Sequence, residues 1–294
     1  MAGEATKQID KAVLWGGNKS PFSMSYGKMM MWFFILSDAL TFGGFLAALG
    51  FKRYQYDGEW PIGEEVFQAF PGLEGHYPLM YVALMTFILI VSSVTMVLAV
   101  EAGHRNDKKG VIKWLALTVV GGFVFVGSQA WEWSHFIHGS EFGKVVLSDG
   151  SYGKVTSHGH GEHAEITGIK VFQGAHVGEN STATYTTGQI IPQAEAQKIY
   201  SDIKENDPHR IYKGASMKDN EYGPQAYANY FFFITGFHGF HVLTGVVINL
   251  IILINVIKGV YDKRGHFEMV EKVGLYWHFV DLVWVFVFTF FYLI

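Results

Sequence analysis

The segment WFFILSDALTFGGF, residues 32–45, decides which fold class the sequence can adopt. It lies within an apolar run, residues 29–51, in which Asp38 is the only ionisable residue. A helix needs roughly 20 such residues to cross a hydrocarbon core about 30 Å thick, so this run is long enough to span a bilayer. With a rise of about 1.5 Å per residue, Asp38 is roughly 14 Å along the helix from Met29, near the middle of the membrane.

The composition of the whole chain is also that of an integral membrane protein. Half of the 294 residues are hydrophobic and 16 % are charged, whereas a soluble domain has about 25 % charged residues. The net charge of −4 gives no support for nucleic-acid binding. The absence of cysteine excludes disulfides, iron–sulfur clusters and a thiol nucleophile. Residues 1–28 contain no apolar signal-peptide core, so we expect the first span to act as the insertion signal.

Four further apolar runs have about the length of the first, and together they predict an all-α polytopic membrane protein. We expect five transmembrane helices in a bundle, at about residues 29–51, 79–100, 111–137, 227–257 and 273–294. The chain then divides into an N-terminal segment 1–28, helices 1–3 within 29–137, a small extramembrane insert 138–226, and helices 4 and 5 within 227–294.

Lysine and arginine residues predict the orientation in the membrane. They concentrate in the N-terminal segment, in the connection between spans 2 and 3, and in the connection between spans 4 and 5. We therefore expect these segments on the cytoplasmic side of the membrane, and the insert and the C-terminus on the outer side. Lys52 and Arg53, between spans 1 and 2, run mildly against this orientation.

The insert, residues 138–226, is too long to be a bare connection. KVVL (144–147) and IKVF (169–172) have the composition of strands. IPQAEAQKIYSDIKEN (191–206) predicts a helix with Pro192 in its first turn. SHGHGEH (157–163) is rich in histidine, but its glycines give no rigid metal geometry, which favours a solvated loop over a zinc or copper site.

Ionisable residues at membrane depth are costly and are therefore functional candidates. The candidates are Asp38, Glu132, His238, His241, His278 and Asp281. For Asp38, two interpretations stay open: a carboxyl that handles a proton or orients a lipid or partner, and an interhelical hydrogen bond that fixes packing.

His238 and His241 stand three residues apart and therefore share one face of span 4. The pair could ligate a metal or haem iron, but two ligands do not make a site. The alternative is hydrogen bonding to Glu132, to Asp281 or to the backbone. His278 and Asp281 have the same spacing and can bond one another, either as a proton shuttle or, as we favour, as a polar contact that holds span 5 to spans 3 and 4.

Several motifs together resemble one family. GFHGFHV (236–242), followed by YWHFVDLVW (276–284), strongly resembles subunit III of the haem-copper respiratory oxidases. MMMWFFILSDALTFGGF (29–45), SVTM (93–96) and QAWEW (129–133) resemble the preceding helices of that family in order and approximate spacing.

The resemblance implies a bundle around a lipid-filled cleft, packed beside the catalytic subunit. It implies an accessory subunit that binds phospholipid, stabilises the catalytic subunit and supports its proton uptake. Haem and copper would lie in partner subunits, since subunit III holds neither, and this favours packing roles for the histidines. The family's buried acidic position maps onto Asp38, and its other polar positions map onto Glu132, His238, His241, His278 and Asp281. The expected partners are subunits I and II and membrane lipids.

Some features differ from many cytochrome c oxidase members. Five spans and an aspartate resemble the quinol oxidase version and some bacterial cytochrome c oxidases, and MVLAVEAG (96–103) lacks a histidine pair that many members carry. The insert is unusual, and together with the five spans it favours a bacterial inner membrane, with the insert in the periplasm, over a mitochondrion. The resemblance implies that the insert faces the side where cytochrome c docks, and we hypothesise that it contacts a cytochrome c domain or a partner complex. The alternatives are the same subunit in a quinol oxidase or nitric-oxide reductase, an independent proton-coupled transporter, and a diiron or haem protein using His238, His241 and His278.

Overall fold

Five long helices dominate the computed structural model, which describes residues 24–56, 60–73, 77–158, 164–173, 185–186, 188–216 and 220–294. They are α1 (Tyr26–Gln55), α3 (Met80–His104), α4 (Lys108–His138), α6 (Gln225–Ile257) and α8 (Glu268–Val287), which continues as the π-helix Phe288–Leu293. The short helices α2 (Gly63–Val66), α5 (Gln193–Asn206) and α7 (Val260–Arg264) lie between them. All five long helices are apolar and long enough to cross a membrane, which confirms the predicted fold class.

The long helices extend beyond the apolar runs because their polar ends remain helical outside the hydrocarbon core. In α1, Lys52 and Arg53 lie in the last turn, where positive charge is favourable to the helix dipole. Helix α6 has 33 residues, which corresponds to a length of about 50 Å. The apolar spans therefore account for the middle of each helix, and the flanking polar residues account for its ends.

One end of the bundle carries the short connections, and we call it the short-loop end. It contains the start of α1, the turn between α3 and α4, and the connection through α7. Lys28 Nζ lies 2.6 Å from Glu271 Oε1 of α8, and Ser25 donates a hydrogen bond to Glu268. Lys108 Nζ lies 2.7 Å from Asp262 Oδ2 of α7. These contacts join the N-terminal segment and the two short connections, which are the three segments that the lysine pattern predicts on the cytoplasmic side.

The insert lies at the opposite end, which we call the insert end. It is an antiparallel sheet in the order β4-β3-β2-β1-β5, with α5 packed against it. The strands are β1 (Lys144–Val146), β2 (Tyr152–His158), β3 (Glu165–Gln173), β4 (Ile190–Pro192) and β5 (Ile211–Tyr212). Their buried residues form a core separate from that of the bundle. Of the histidine-rich segment, residues 159–163 lie outside the described residues.

The helix of the insert begins at Gln193, two residues later than the predicted range 191–206. Pro192 pairs with Gly168 at the end of β4 and has extended dihedral angles, φ −68° and ψ 158°. It therefore caps α5, which starts at Gln193, instead of lying in its first turn. Because proline has no N–H, the end of a strand is a position where it removes little from the hydrogen-bond ladder.

The two ends of the insert meet above α4. Lys144 pairs with Tyr212, so β1 and β5 lie side by side. Glu221, which has no exposed surface, accepts hydrogen bonds from the backbone N–H groups of Ser140 and Gly214. Glu221 thus holds the two ends of the insert together next to the end of α4.

The core of the bundle depends on close approach of α3, α4, α6 and α8. A Cβ atom at Gly122 of α4 would lie 2.4 Å from Val246 Cγ2 and 2.6 Å from the Trp277 ring. At Gly127 of the same helix, a Cβ atom would meet nothing within 4 Å. Glycine is therefore required at the first position and not at the second.

We expect Gly122→Ala to destabilise the folded chain by about 1–3 kcal/mol, because a packed core accommodates an added methyl group only by shifting side chains or backbone. Thermal unfolding in mild detergent, followed by circular dichroism, measures the change. Gly127→Ala is the matched control and should leave the unfolding temperature equal or slightly higher, since alanine favours a helix. Equal stability of the two variants would contradict this account of the core.

Candidate functional site: polar side chains within the bundle

Asp38 of α1 and His241 of α6 face each other inside the membrane region. His241 Nε2 lies 3.2 Å from Asp38 Oδ2, an ion-pair distance without the alignment of a hydrogen bond. Only 16 % of the Asp38 side chain and 10 % of the His241 side chain are exposed. The rings of Phe42 and Phe237 lie beside the imidazole, at centroid distances of 5.4 Å and 4.6 Å. The pair is therefore shielded by aromatic rings.

The hydrogen bonds of His241 restrict where protons can be. Its Nδ1 lies 2.8 Å from the Phe237 carbonyl oxygen, which can only accept, so Nδ1 must carry a proton. Nε2 is therefore the ring nitrogen that faces the Asp38 carboxyl.

An apolar groove runs past this pair between α1, α6 and α8. It has a volume of about 290 Å³ and is lined mainly by apolar side chains, with His241, Thr244 and Tyr276 as the polar members. The Tyr276 hydroxyl lies 2.9 Å from Thr244 Oγ1 and donates to the His241 carbonyl at 3.1 Å. The polar groups bond one another, so the groove presents a mainly hydrocarbon surface.

His238 lies one turn from His241 but has different neighbours. Its ring is fully buried, and Nε2 donates to the Val280 carbonyl of α8 at 3.1 Å. The rings of Trp284 and Phe125 pack on it, at centroid distances of 5.0 Å and 5.8 Å. This is the backbone hydrogen bond that the sequence left open as the alternative to metal binding. In the described part of the chain, no three His, Asp or Glu side chains converge as a metal site would require.

His278 and Asp281 both face Ser93 of α3. His278 Nδ1 lies 2.7 Å from Ser93 Oγ, and Asp281 interacts with the same hydroxyl. The expected direct bond between the two is thus replaced by contacts to α3, because a hydroxyl can both donate and accept. These residues hold α8 to α3, which is the second predicted span. The sequence instead predicted that they would hold span 5 to spans 3 and 4, which are α4 and α6.

Glu132 of α4 lies near the insert end and is 4 % exposed. Its Oε2 accepts hydrogen bonds from Gln129 Nε2 at 2.7 Å and from the Tyr292 hydroxyl at 2.9 Å. Sequence reasoning identified Glu132 but missed both donors. For Gln129 a signal was present, because it precedes Glu132 by three residues in QAWEW and so shares its helix face. For Tyr292 there was none, because the contact joins distant parts of the chain.

The six candidate residues therefore do not form one site. Asp38 and His241 lie together, His278 and Asp281 share Ser93, and His238 and Glu132 each have separate partners. Each group connects two helices, which is a typical use of polar side chains in membrane proteins.

A wide groove separates the insert from the end of the bundle. It has a volume of about 1060 Å³ and runs between β2, β3, α2 and the last turns of α4. Lys170 Nζ lies 2.7 Å from Glu65 Oε1, and Lys154 Nζ donates to the Glu65 carbonyl at 3.3 Å. Burial lowers the pKa of Lys154, and the Glu221 and Glu65 carboxylates act in the opposite direction. The sheet is thus fixed above the membrane by charged contacts to α2.

We expect Asp38→Ala to destabilise the chain by about 1 kcal/mol, because His241 Nε2 would lose its polar neighbour in a membrane environment. Unfolding in detergent by thermal scanning measures this difference. Ser37→Ala is the neighbouring control, since the Ser37 hydroxyl bonds only to Phe34 in its own helix and is exposed. If the two alanine variants are equally stable, the Asp38–His241 contact does not hold α1 to α6.

Comparison with known proteins connects this arrangement to one family. The family model described as cytochrome c oxidase subunit III matches residues 6–179 and 214–294. Between the two matched segments, residues 180–213 contain β4, α5 and β5.

Curated relatives are similar over nearly their whole length. A protein named "Cytochrome c oxidase subunit 3" from Alkalihalophilus pseudofirmus is 24 % identical, over 97 % of this chain and 90 % of the relative. One named "Probable quinol oxidase subunit 3" from Staphylococcus saprophyticus is 24 % identical, over 91 % of this chain and 88 % of the relative. One named "Probable cytochrome c oxidase subunit 3" from Mycobacterium leprae is 24 % identical over 88 % and 83 %. The sequence resemblance is therefore confirmed, and the chain belongs to the cytochrome c oxidase subunit III family of respiratory oxidase subunits.

Proposed function

We propose that the chain is the accessory subunit of a proton-pumping aerobic terminal oxidase. In this role it binds no haem or copper, stabilises the catalytic subunit during turnover and supports its proton uptake. The observation that carries the proposal is the groove between α1, α6 and α8, which is mainly apolar and has the Asp38–His241 pair beside it. Such a surface fits the acyl chain of a phospholipid, and Asp38 steadies the helix that forms one wall.

The membrane orientation is part of the proposal. The short-loop end carries lysine and arginine in three separate segments, which favours the cytoplasmic side of a bacterial inner membrane. The insert and the C-terminus then lie on the periplasmic side. Subunits I and II of the oxidase are the proposed partners, and they hold the haem and copper.

The electron donor of the complex is either cytochrome c or a quinol. Both alternatives are supported, because the relatives include proteins named for each kind of oxidase. We favour cytochrome c oxidase, with quinol oxidase as the second candidate.

Purification of the chain in mild detergent tests the assignment. We expect larger subunits to co-purify, and the reduced-minus-oxidised spectrum to show an a-type haem band that is lost when this chain is isolated. A b- or o-type band alone would favour a quinol oxidase or a nitric-oxide reductase. An intact complex without haem would contradict the proposal.

Asp38→Asn tests the role of the carboxyl in the assembled oxidase. We expect the initial rate of O₂ consumption to stay near that of the wild type, because the catalytic centre lies in another subunit. The rate should then decline faster over repeated turnover, because the wall of the groove is less firmly held. An immediate loss of all activity would instead indicate a proton path through this chain.

The insert provides a second test. We propose that it contacts a cytochrome c domain or a partner complex, since it stands outside the membrane and has its own core. Because β1 and β5 are adjacent, residues 144–212 can be replaced by a short glycine–serine linker. We expect weaker association with the donor or partner and normal assembly of the membrane subunits. Unchanged association, measured by co-purification and by the dependence of rate on donor concentration, would refute this role.

A further inference from the structure

The two oxygens of the Glu132 carboxyl have different surroundings. Oε2 accepts hydrogen bonds from Gln129 Nε2 and from the Tyr292 hydroxyl. Oε1 is buried, and in the part of the chain that the structure describes it has no protein hydrogen-bond partner. Since both neighbours of Oε2 are donors, a proton on the carboxyl is favoured on Oε1. When the carboxyl is ionised, Oε1 is also the oxygen whose lone pairs accept no hydrogen bond from the described residues.

A narrow pocket reaches Glu132 from the insert end. It has about 20 Å³ of space open to water, enough for one molecule. Glu132 is about 9 Å along α4 from its last residue, His138, so the pocket is short. Its walls also contain Val66, Ala69 and Tyr81.

The pocket lies beside the wide groove beneath the insert. The residues that line both spaces are Val66, Ala69, Trp131, His135 and Tyr222. The groove is lined further out by Lys154, Lys170 and Lys213. A water molecule in the pocket would therefore be separated from the groove on the insert side only by these shared residues.

Between Glu132 and the short-loop end, aromatic rings fill the interior of the bundle. Tyr292 packs on Trp284 at a centroid distance of 6.0 Å, and Trp284 packs on Phe125 at 4.8 Å. Trp284 and Phe125 have no exposed surface. The carboxyl is thus separated from the short-loop end by fully buried hydrophobic rings.

The titratable neighbours of Glu132 are mainly uncharged phenols. Tyr292 donates to it, and Tyr81 of α3 and Tyr227 of α6 are close enough to interact with its charge. His135 and Tyr222 line the same pocket. The Tyr227 hydroxyl and Gln129 Oε1 are also buried without a hydrogen-bond partner in the described residues, so further polar atoms near Glu132 have unused hydrogen-bonding capacity.

We propose that Glu132 is a proton-exchange site whose ligand is water and which opens only to the insert end. The proton on Oε1 passes to a pocket water, which becomes hydronium and leaves through the groove. The carboxylate that remains keeps both hydrogen bonds on Oε2. The return step is the reverse, with hydronium giving its proton to Oε1 and becoming water. This site is independent of the Asp38–His241 pair and of the proposed role of the groove beside it.

Because the chain contains no cysteine, Glu132→Cys introduces a single thiol whose access can be measured. The variant is assembled in the full complex and reconstituted in oriented vesicles. A membrane-impermeant methanethiosulfonate reagent is added from one side, and the mass of this chain is recorded. We expect labelling from the insert side alone. Adding Ala69→Phe, which narrows the pocket, should slow labelling several-fold, and adding Leu73→Phe, which lines only the groove, should not.

Two further variants set the range of the assay. Ser157 lines the groove, so the reagent should label Ser157→Cys rapidly. Thr118 is fully buried in α4, so Thr118→Cys should not be labelled. Equal labelling of Glu132→Cys from both sides would overturn the proposal. So would a folded Glu132→Cys complex that does not react while Ser157→Cys does.

Infrared spectroscopy tests the native carboxyl and does not require the cysteine variant to fold. We expect a protonated-carboxyl band that is absent in Glu132→Gln and that shifts when the complex is transferred to D₂O. The shift should be several-fold slower in Ala69→Phe and unchanged in Leu73→Phe. A band that never exchanges, or no Glu132-dependent band at any pH where the complex stays folded, would contradict the proposal.

Discussion

The packing of the helix bundle depends on the interactions of Trp277 of α8 with three other helices. Its indole N–H donates to Ser92 Oγ of α3 at 3.0 Å. Its ring packs against Gly122 of α4 and Gly245 of α6, where an added Cβ atom would lie 2.6 Å and 3.0 Å from the ring. Helices in lipid gain little from burying apolar surface against one another, so close packing and interhelical hydrogen bonds must hold them together. One side chain supplies both, to three neighbouring helices.

The same principle explains the other polar side chains of the bundle. Trp284 Nε1 donates to Thr86 Oγ1 at 2.9 Å, and Trp133 Nε1 donates to Thr235 Oγ1 at 3.0 Å. The candidate residues follow this pattern, because each lies at a contact between two helices and not in one chain of polar groups. A continuous proton wire across the bundle would need polar atoms where buried aromatic rings such as Phe125 lie. The polar groups therefore lie in separate places, each near one surface or one helix pair.

The sequence predicted the five membrane helices because length and hydropathy are local properties that the bilayer requires of every span. It identified Asp38 and His241 as candidates but did not pair them, because their contact depends on how α1 approaches α6. That approach is set by tertiary packing, which spacing along one helix does not encode. In the insert, KVVL and IKVF marked β1 and β3, whereas β2, with the sequence YGKVTSH, mixes polar residues and glycine and carries only a weak strand signal. The same distinction applies to the two donors to Glu132. Gln129 could be predicted because it lies on the same helix face, whereas the contact with Tyr292 depends on tertiary packing.

The position of α1 has a consequence for biogenesis. Its contacts at the short-loop end are made with Glu268 and Glu271, each 243 residues later in the chain than its partner. At roughly 5–20 residues per second, translation needs at least about 12 s to reach them after the start of α1 has been made. During that interval α1, whose side chains Phe33, Phe34 and Leu40 stay exposed even in the finished chain, is in contact with lipid. Helix α1 can therefore make its final contacts only after α8 has been synthesised, and the groove beside Asp38, which α8 helps to line, forms only then.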